Sequence, residues 1–186
     1  KKSFKHKLVV VRGFTLIELL VVISIIGVLA SLVLVQFPNF LKSARDAKRL
    51  QEINQIVTAL RIYKVNNGVF PPISSDACCD GWDQGPCQAD TTFIATLKTS
   101  GTIPVVPVDS GNYSASSGTG CYGYNYYVYP AGYASCPAAS GAFFVLGIRD
   151  METKSGVYPE SPGWKCPGRN WQSEFEWVVG SFEKDF

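Results

Sequence analysis

The sequence predicts an α+β protein: a long, kinked N-terminal helix whose second half packs on a small antiparallel sheet in a disulfide-containing head. Three observations carry this reading. Residues Phe14 to Val35 form an apolar run holding one charge, Glu18. Residues 38–67 continue with apolar side chains at helical spacing. From Gly68 onward the composition turns to Gly, Pro, Ser, Thr, Tyr and Cys, with short stretches of alternation that read as strands between turns. The corresponding divisions are 1–13, a basic N-terminal segment; 14–37, the membrane-spanning half of the helix; 38–67, its amphipathic half; and 68–186, the head.

The first run is long enough, as a helix, to cross a hydrocarbon core of about 30 Å. Lys1, Lys2, Lys5, Lys7 and Arg12 precede it with no acidic residue among them. That asymmetry keeps the N-terminus cytoplasmic in a single-pass arrangement and sends the remainder across the membrane. Glu18 is the anomaly, because a carboxylate in an apolar span is unfavourable unless a partner or a position near the headgroups offsets it.

The whole string, Gly13-Phe14 and then TLIELL before a long apolar run, resembles the class III leader and N-terminal helix of type IV pilins and type II secretion pseudopilins. The resemblance implies that a prepilin peptidase cuts after Gly13 and methylates the new N-terminus at Phe14. It also implies that Glu18 pairs with the N-terminal amine of a neighbouring subunit during assembly, so that a buried charge sets register. The partners it implies are the peptidase, identical or related subunits, the membrane and an assembly machinery. An ordinary secretory signal cut before Ser31 is the competing reading. Against it, Glu18 interrupts the apolar region, hydrophobicity runs on through Val35, and the helical pattern continues beyond.

Removing the leader leaves 173 residues, which suits one anchored helix and one modest domain. It also removes five basic residues, leaving 12 basic against 15 acidic side chains, so no basic body argues for nucleic acid as the main partner. The chain does not begin with Met, and Leu8 to Val11 make the leader more apolar than is usual in the family. The single histidine is His6, within the leader. A mature chain without histidine holds no Ser-His-Asp triad, Cys-His pair or histidine zinc site, and no spacing of Asp and Glu marks a hydrolytic pair. Neither an enzyme nor a cofactor is expected.

Phe37-Pro38 should bend the helix, since proline removes a backbone donor and crowds the preceding turn. Beyond it Leu50, Ile53, Ile56, Val57, Leu60 and Tyr63 form an apolar stripe. The other side carries Lys42, Arg45, Lys48, Arg49 and Arg61 with Asp46 and Glu52, expected as a solvated or inter-subunit face. Asn67-Gly68 ends the helix with a left-handed cap, and Pro71-Pro72 prevents its return.

In the head, a short helix is expected at Thr91 to Thr99, capped by Asp90 and burying Phe93, Ile94 and Leu97. Ile103 to Asn112 resembles the pilin loop that leads into the sheet; in type II pseudopilins a loop of this region supplies calcium ligands. Asp109 is the one obvious carboxylate there, and alone it suits a capped turn better than a hard-cation site. Strands are read at Cys121 to Tyr129, with Tyr122, Tyr124 and Tyr126 on one face, at Gly141 to Asp150, and at Glu174 to Phe182. The tyrosines serve chiefly as cross-strand pairs, an exposed sugar-binding or subunit-binding patch being the alternative.

Six cysteines, Cys78, Cys79, Cys87, Cys121, Cys136 and Cys166, all lie in the head, and an even count in an exported domain argues for disulfides rather than a metal site. Cys121 with Cys136 would close a hairpin. One of Cys78 and Cys79 would join Cys87, and the other would anchor the tail through Cys166. No role is assigned to the segment carrying Trp164, Trp171 and Trp177. The resemblance leaves three readings: a subunit of a type IV pilus-like filament, a type II secretion pseudopilin, or a minor tip pilin with adhesive function. In each, the chain sits in the cytoplasmic membrane before assembly and in a surface or periplasmic fibre after it.

Overall fold

The computed structural model describes residues 13–74, 81–85, 93–109 and 122–185. Cys78, Cys79, Cys87, Cys121 and Asp90 lie outside the described residues. The chain divides into two compact units, Lys1–Leu41 and Lys42–Phe186. Helix α1, Leu16–Asn67, belongs to both and contains Pro38.

In the second unit, the apolar stripe read from the sequence joins the core, with Leu50 partly buried at its start. Ile53, Ile56 and Leu60 are fully buried, with Val57 and Tyr63 nearly so. The helix ends at Asn67, where Gly68 takes the left-handed conformation (φ 77°) and its N–H donates to Lys64 O.

The stripe packs on a four-stranded antiparallel sheet ordered β1-β2-β3-β6, formed by Asp83–Gly85, Gly123–Tyr129, Phe143–Arg149 and Trp177–Phe182. Strands β2, β3 and β6 are those read from alternation, each trimmed by a few residues at its ends. Register places Tyr126 opposite Leu146 and Leu146 opposite Val179. The face towards α1 therefore carries Tyr124, Tyr126, Phe144, Leu146, Ile148 and Trp177. Tyr124 and Tyr126 are fully buried; their hydroxyls donate to Glu52 Oε2 and to Pro71 O. Tyr122 departs from that expected face, lying outside β2 and 42% exposed.

Strand β1 and a small hairpin, β4 (Lys165–Cys166) with β5 (Arg169–Asn170), escaped the sequence reading because segments of two or three residues show no period. Helix α2 is only Ala95–Thr99, shorter than the expected Thr91 to Thr99. Its first turn is replaced by Ile94 in the left-handed region (φ 44°), and Ile94 N–H donates to the buried Asp83 carboxylate on β1. Phe93, Ile94 and Leu97 are buried as expected.

The opposite face of the sheet is not solvated. The C-terminal segment returns over it and builds a second core from Trp82, Tyr129, Phe143, Val145, Trp171, Phe175 and Val178. Two strand glycines admit this layer: a Cβ at Gly147 would lie 2.5 Å from the Phe175 ring, and one at Gly180 would lie 2.2 Å from Trp164. The tryptophan-rich tail thus covers the outer face.

Among the described residues a disulfide joins Cys136 to Cys166, with Cα atoms 5.1 Å apart. This corrects the expected Cys121–Cys136 hairpin closure and the anchoring of Cys166 to Cys78 or Cys79. The physical reason is the hairpin β4–β5, which lies against the turn at 133–135; Gly168 N–H donates to Ala134 O at 2.8 Å and brings the two sulfurs together. Closing a separation of 30 residues stabilises by about 3.6 kcal/mol on the chain-entropy model.

Gly180→Ala should therefore cost about 1 to 3 kcal/mol, since the added methyl must displace a packed indole. Equilibrium unfolding followed by tryptophan fluorescence measures it, and an unchanged midpoint would contradict the close approach of Trp164.

Candidate functional site

Gly13 and Phe14 precede α1; a Cβ on Gly13 would touch nothing within 4 Å, and Phe14 is 89% exposed. Both expected processing positions are thus uncovered by the described residues. The helix opens with a reciprocal cap. Thr15 N–H and Thr15 Oγ1–H donate to Glu18 Oε2 at 2.8 and 2.7 Å, and Glu18 N–H donates to Thr15 Oγ1 at 3.3 Å. This is a capping box, and its signature, Thr15-x-x-Glu18 before an apolar run, was present in the sequence but unread. Glu18 so has a partner within its own chain, while its Oε1 makes no hydrogen bond among the described residues and remains able to accept one.

From Leu16 onward the apolar side chains are exposed on every side of the helix, among them Ile17, Leu20, Ile23, Ile26, Leu29 and Leu34. The two serines close their own hydrogen bonds, Ser24 Oγ to Val21 O at 2.8 Å and Ser31 Oγ to Val28 O at 2.7 Å. Apart from Glu18, the described surface of this stretch offers neighbours only hydrocarbon. A helix apolar all round requires cover by lipid or by other apolar helices. Among the described residues no single helix is long and apolar enough to cross a membrane, but Leu16–Ser31 and Gln36–Asn67 pass together as a bent pair.

In the second unit, Lys42, Arg45, Lys48 and Arg61 on the polar side of α1 are exposed, as a solvated or inter-subunit face requires, but Asp46 and Arg49 depart from that expectation. Asp46 is fully buried and Arg49 is 3% exposed. Arg49 Nε donates to Asp109 Oδ2 and Nη1 to Asp46 Oδ1, both at 2.8 Å, and Nη1 lies 3.0 Å from Glu152 Oε1. Arg45 pairs with Glu152, while Asp46 accepts from Glu152 N–H, Thr153 N–H and Thr153 Oγ1–H. The loop after β3, turned by Asp150 in the left-handed conformation (φ 71°), delivers these donors. Burial opposes the charged form of Asp46, but these hydrogen bonds and that of Arg49 outweigh it and hold its carboxyl below the ordinary aspartate value. The hydrogen bond from Arg45 lowers Glu152 as well.

Asp109 does not fit a calcium site of the kind the pseudopilin resemblance implies. It is 3% exposed and its carboxylate is ion-paired to Arg49, whereas calcium takes six to eight oxygens. Among the described residues no group of three His, Cys, Asp or Glu could hold a metal ion.

Residues 10–34 match the family described as the prokaryotic N-terminal methylation motif. The chain is 33% identical over 116 residues to the type IV major fimbrial protein FimA of Dichelobacter nodosus, covering 58% of this chain and 71% of that one. It is 46% identical over 63 residues to the type II secretion system core protein G of Pectobacterium carotovorum subsp. carotovorum, covering 32% of this chain and 38% of that relative. It is 32% identical over 88 residues to the prepilin peptidase-dependent protein D of Escherichia coli (strain K12), covering 47% of this chain and 56% of that one. No solved structure matches.

Arg49→Met should cost about 3 to 5 kcal/mol, because it leaves buried carboxylates without their cation. The acid limb follows from the lowered carboxyls. Their contribution is full above the unfolded value near 4 and is lost as pH falls through the lower folded value. Thermal unfolding between about pH 6 and pH 2 should show a falling midpoint on the acid side, with a shallower slope in Asp46→Asn; parallel slopes would remove Asp46 from the network.

Proposed function

The chain belongs to the type IV pilin and pseudopilin family, and we propose on that premise that it is a structural subunit of a type IV pilus-like filament. A prepilin peptidase cleaves after Gly13 and methylates Phe14. The subunit waits in the cytoplasmic membrane with its head outside, and is then extracted so that the Phe14 to Val35 helices pack against one another. The observation that carries this reading is the all-round exposure of the described apolar side chains between Leu16 and Leu34, interrupted among the described residues only by Glu18 and two self-satisfied serines. Such a surface is stable in lipid and equally stable among copies of itself, which is what transfer from membrane to fibre requires. No bond-breaking chemistry by this chain enters the reading.

Glu18 holds one carboxylate oxygen on Thr15 and keeps the other available for a neighbouring N-terminal amine. The cap orients the acceptor, and the neighbour supplies the positive charge.

A type II secretion pseudopilin is the second reading, favoured by the higher identity to core protein G over the shorter stretch. Against it, the alignment with the fimbrial protein runs over 116 residues, more than the 67 from the first residue to the end of α1, and so reaches into the head; the alignment with core protein G, at 63, need not. The engagement of Asp109 by Arg49 points the same way.

Mass spectrometry of the N-terminus in material sheared from cells should find N-methylated Phe14; a start at Ser31 would mean a conventionally secreted head and sink the filament reading. Glu18→Ala should insert and be processed but stay out of fibres, whereas Thr15→Val, which removes the cap hydroxyl and keeps the carboxylate, should assemble. Equal failure of both variants would reduce Glu18 to a helix cap.

A further inference from the structure

A cleft of about 430 Å³ opens on the outer face of the sheet, the face opposite α1 in the second unit. One wall is a ladder of phenol rings. Tyr133 stacks on Tyr129 with centroids 4.4 Å apart and planes at 24°, and the Tyr127 ring, tilted at 43°, has its centroid 4.5 Å from that of Tyr129. Tyr129 is buried, but Tyr133 remains 40% exposed.

The position of Tyr133 is held at a cost. The two residues after it, Ala134 and Ser135, have φ of 49° and 59°, a region that residues with a side chain occupy only when their surroundings impose it. The Cys136–Cys166 disulfide and the hydrogen bond from Gly168 N–H to Ala134 O impose it here. Burial of the Tyr133 ring does not offset this strain, since much of the ring faces solvent. Strain of this kind, stapled in place behind an exposed aromatic, is typical of preorganised binding surfaces.

The other wall carries two arginines with different assignments. Arg169 is fully committed: Nε and Nη2 each donate to Glu174 at 2.7 Å, and Nη1 donates to the hydroxyls of Tyr129 and Tyr133 at 3.1 and 3.3 Å. It neutralises Glu174 and locks the ring ladder. Arg149 is not committed in this way. Its guanidinium lies over the Phe175 ring at 4.5 Å and its Nε donates to Glu174 O at 3.0 Å, but its Nη2 is 4.0 Å from the nearest carboxylate oxygen. Neither Nη of Arg149 makes a hydrogen bond among the described residues, and the side chain lines the cleft. Arg149 and Arg169 against Glu174 leave this wall with an excess of one positive charge.

A ligand matching these walls brings a planar anion for the arginine edge, a flat C–H face for the tyrosine rings, and hydroxyls for the polar rim. We propose that the cleft binds a carboxylate-bearing saccharide of the uronic or sialic acid type, with its carboxylate on Arg149 and its pyranose ring against Tyr133 and Tyr127. The volume lies within the range of small-molecule sites and accommodates about one or two sugar units. The proposal is independent of polymerisation, so it stands or falls separately from the filament reading.

The test is a titration of the purified full-length chain in detergent, followed by calorimetry and by ligand-observed NMR. Sialyllactose and a glucuronate-containing disaccharide serve as acidic probes, and lactose as the neutral control. At least one acidic probe should bind saturably and about tenfold or more tighter than lactose. Tyr133→Ser should weaken binding about tenfold in protein that still unfolds cooperatively, and Arg149→Gln should abolish the preference for the acidic sugar. Failure of both acidic probes to bind, equal affinity for lactose, or full retention of binding in Tyr133→Ser would overturn the proposal. Loss of self-association in Tyr133→Ser, with no sugar bound by the parent chain, would assign the cleft to a second copy of the chain instead and overturn it equally.

Discussion

Apolar side chains of α1 have to be covered, and the chain covers only some of them. Beyond Leu41 the helix carries a single apolar stripe, which Tyr124, Tyr126, Phe144, Leu146 and Ile148 of the sheet bury. Before Leu41 the hydrocarbon runs all round, and the side chains described there remain exposed. A surface of that kind is unfavourable in water and has two kinds of cover, lipid and its own copies. Storage in a membrane followed by packing into a fibre answers the same constraint twice.

The sheet meets a related constraint on its own two faces. One packs on α1; the other is covered by the C-terminal segment, whose Trp164 and Phe175 lie flat over Gly180 and Gly147. The absence of side chains at those two positions is therefore a matter of packing. The same segment carries Cys166, so the disulfide, the strained turn beside Tyr133 and the aromatic outer core form one construction, with the cleft at its edge. A minimal head would need only the α1 face. The extra layer is what creates a shaped, polar-rimmed surface on the side that α1 leaves free.

Arg49 shows how tertiary context reverses a local reading. On a helical wheel, Asp46 and Arg49 belong to a charged side and read as solvated or inter-subunit. In the folded head, Asp109 and the backbone of Glu152 and Thr153 close over them. Breaking such a cluster is costly, but its formation is weak evidence for net stability, because desolvating the charges offsets much of their attraction. Its effect is positional: it ties one turn of α1 to two loops distant in sequence. A guanidinium here holds loop carboxylates together from within the chain.

Whatever depends on neighbours within a few residues is legible in the chain before it folds. The apolar run, the stripe from Leu50 to Tyr63, the Asn67-Gly68 stop and the alternation of β2, β3 and β6 were legible because helix and strand periods repeat along the chain. The capping box at Thr15 and Glu18 is equally local, since its signature spans four residues. Tertiary structure alone decided which face of the charged helix turn was buried, that Cys136 meets Cys166, and that Tyr133, Arg149 and Arg169 line one cleft. These pairings join residues tens of positions apart through loops and short strands without period. Which side chains meet is then set by how two cores close over one sheet, and no local pattern records that.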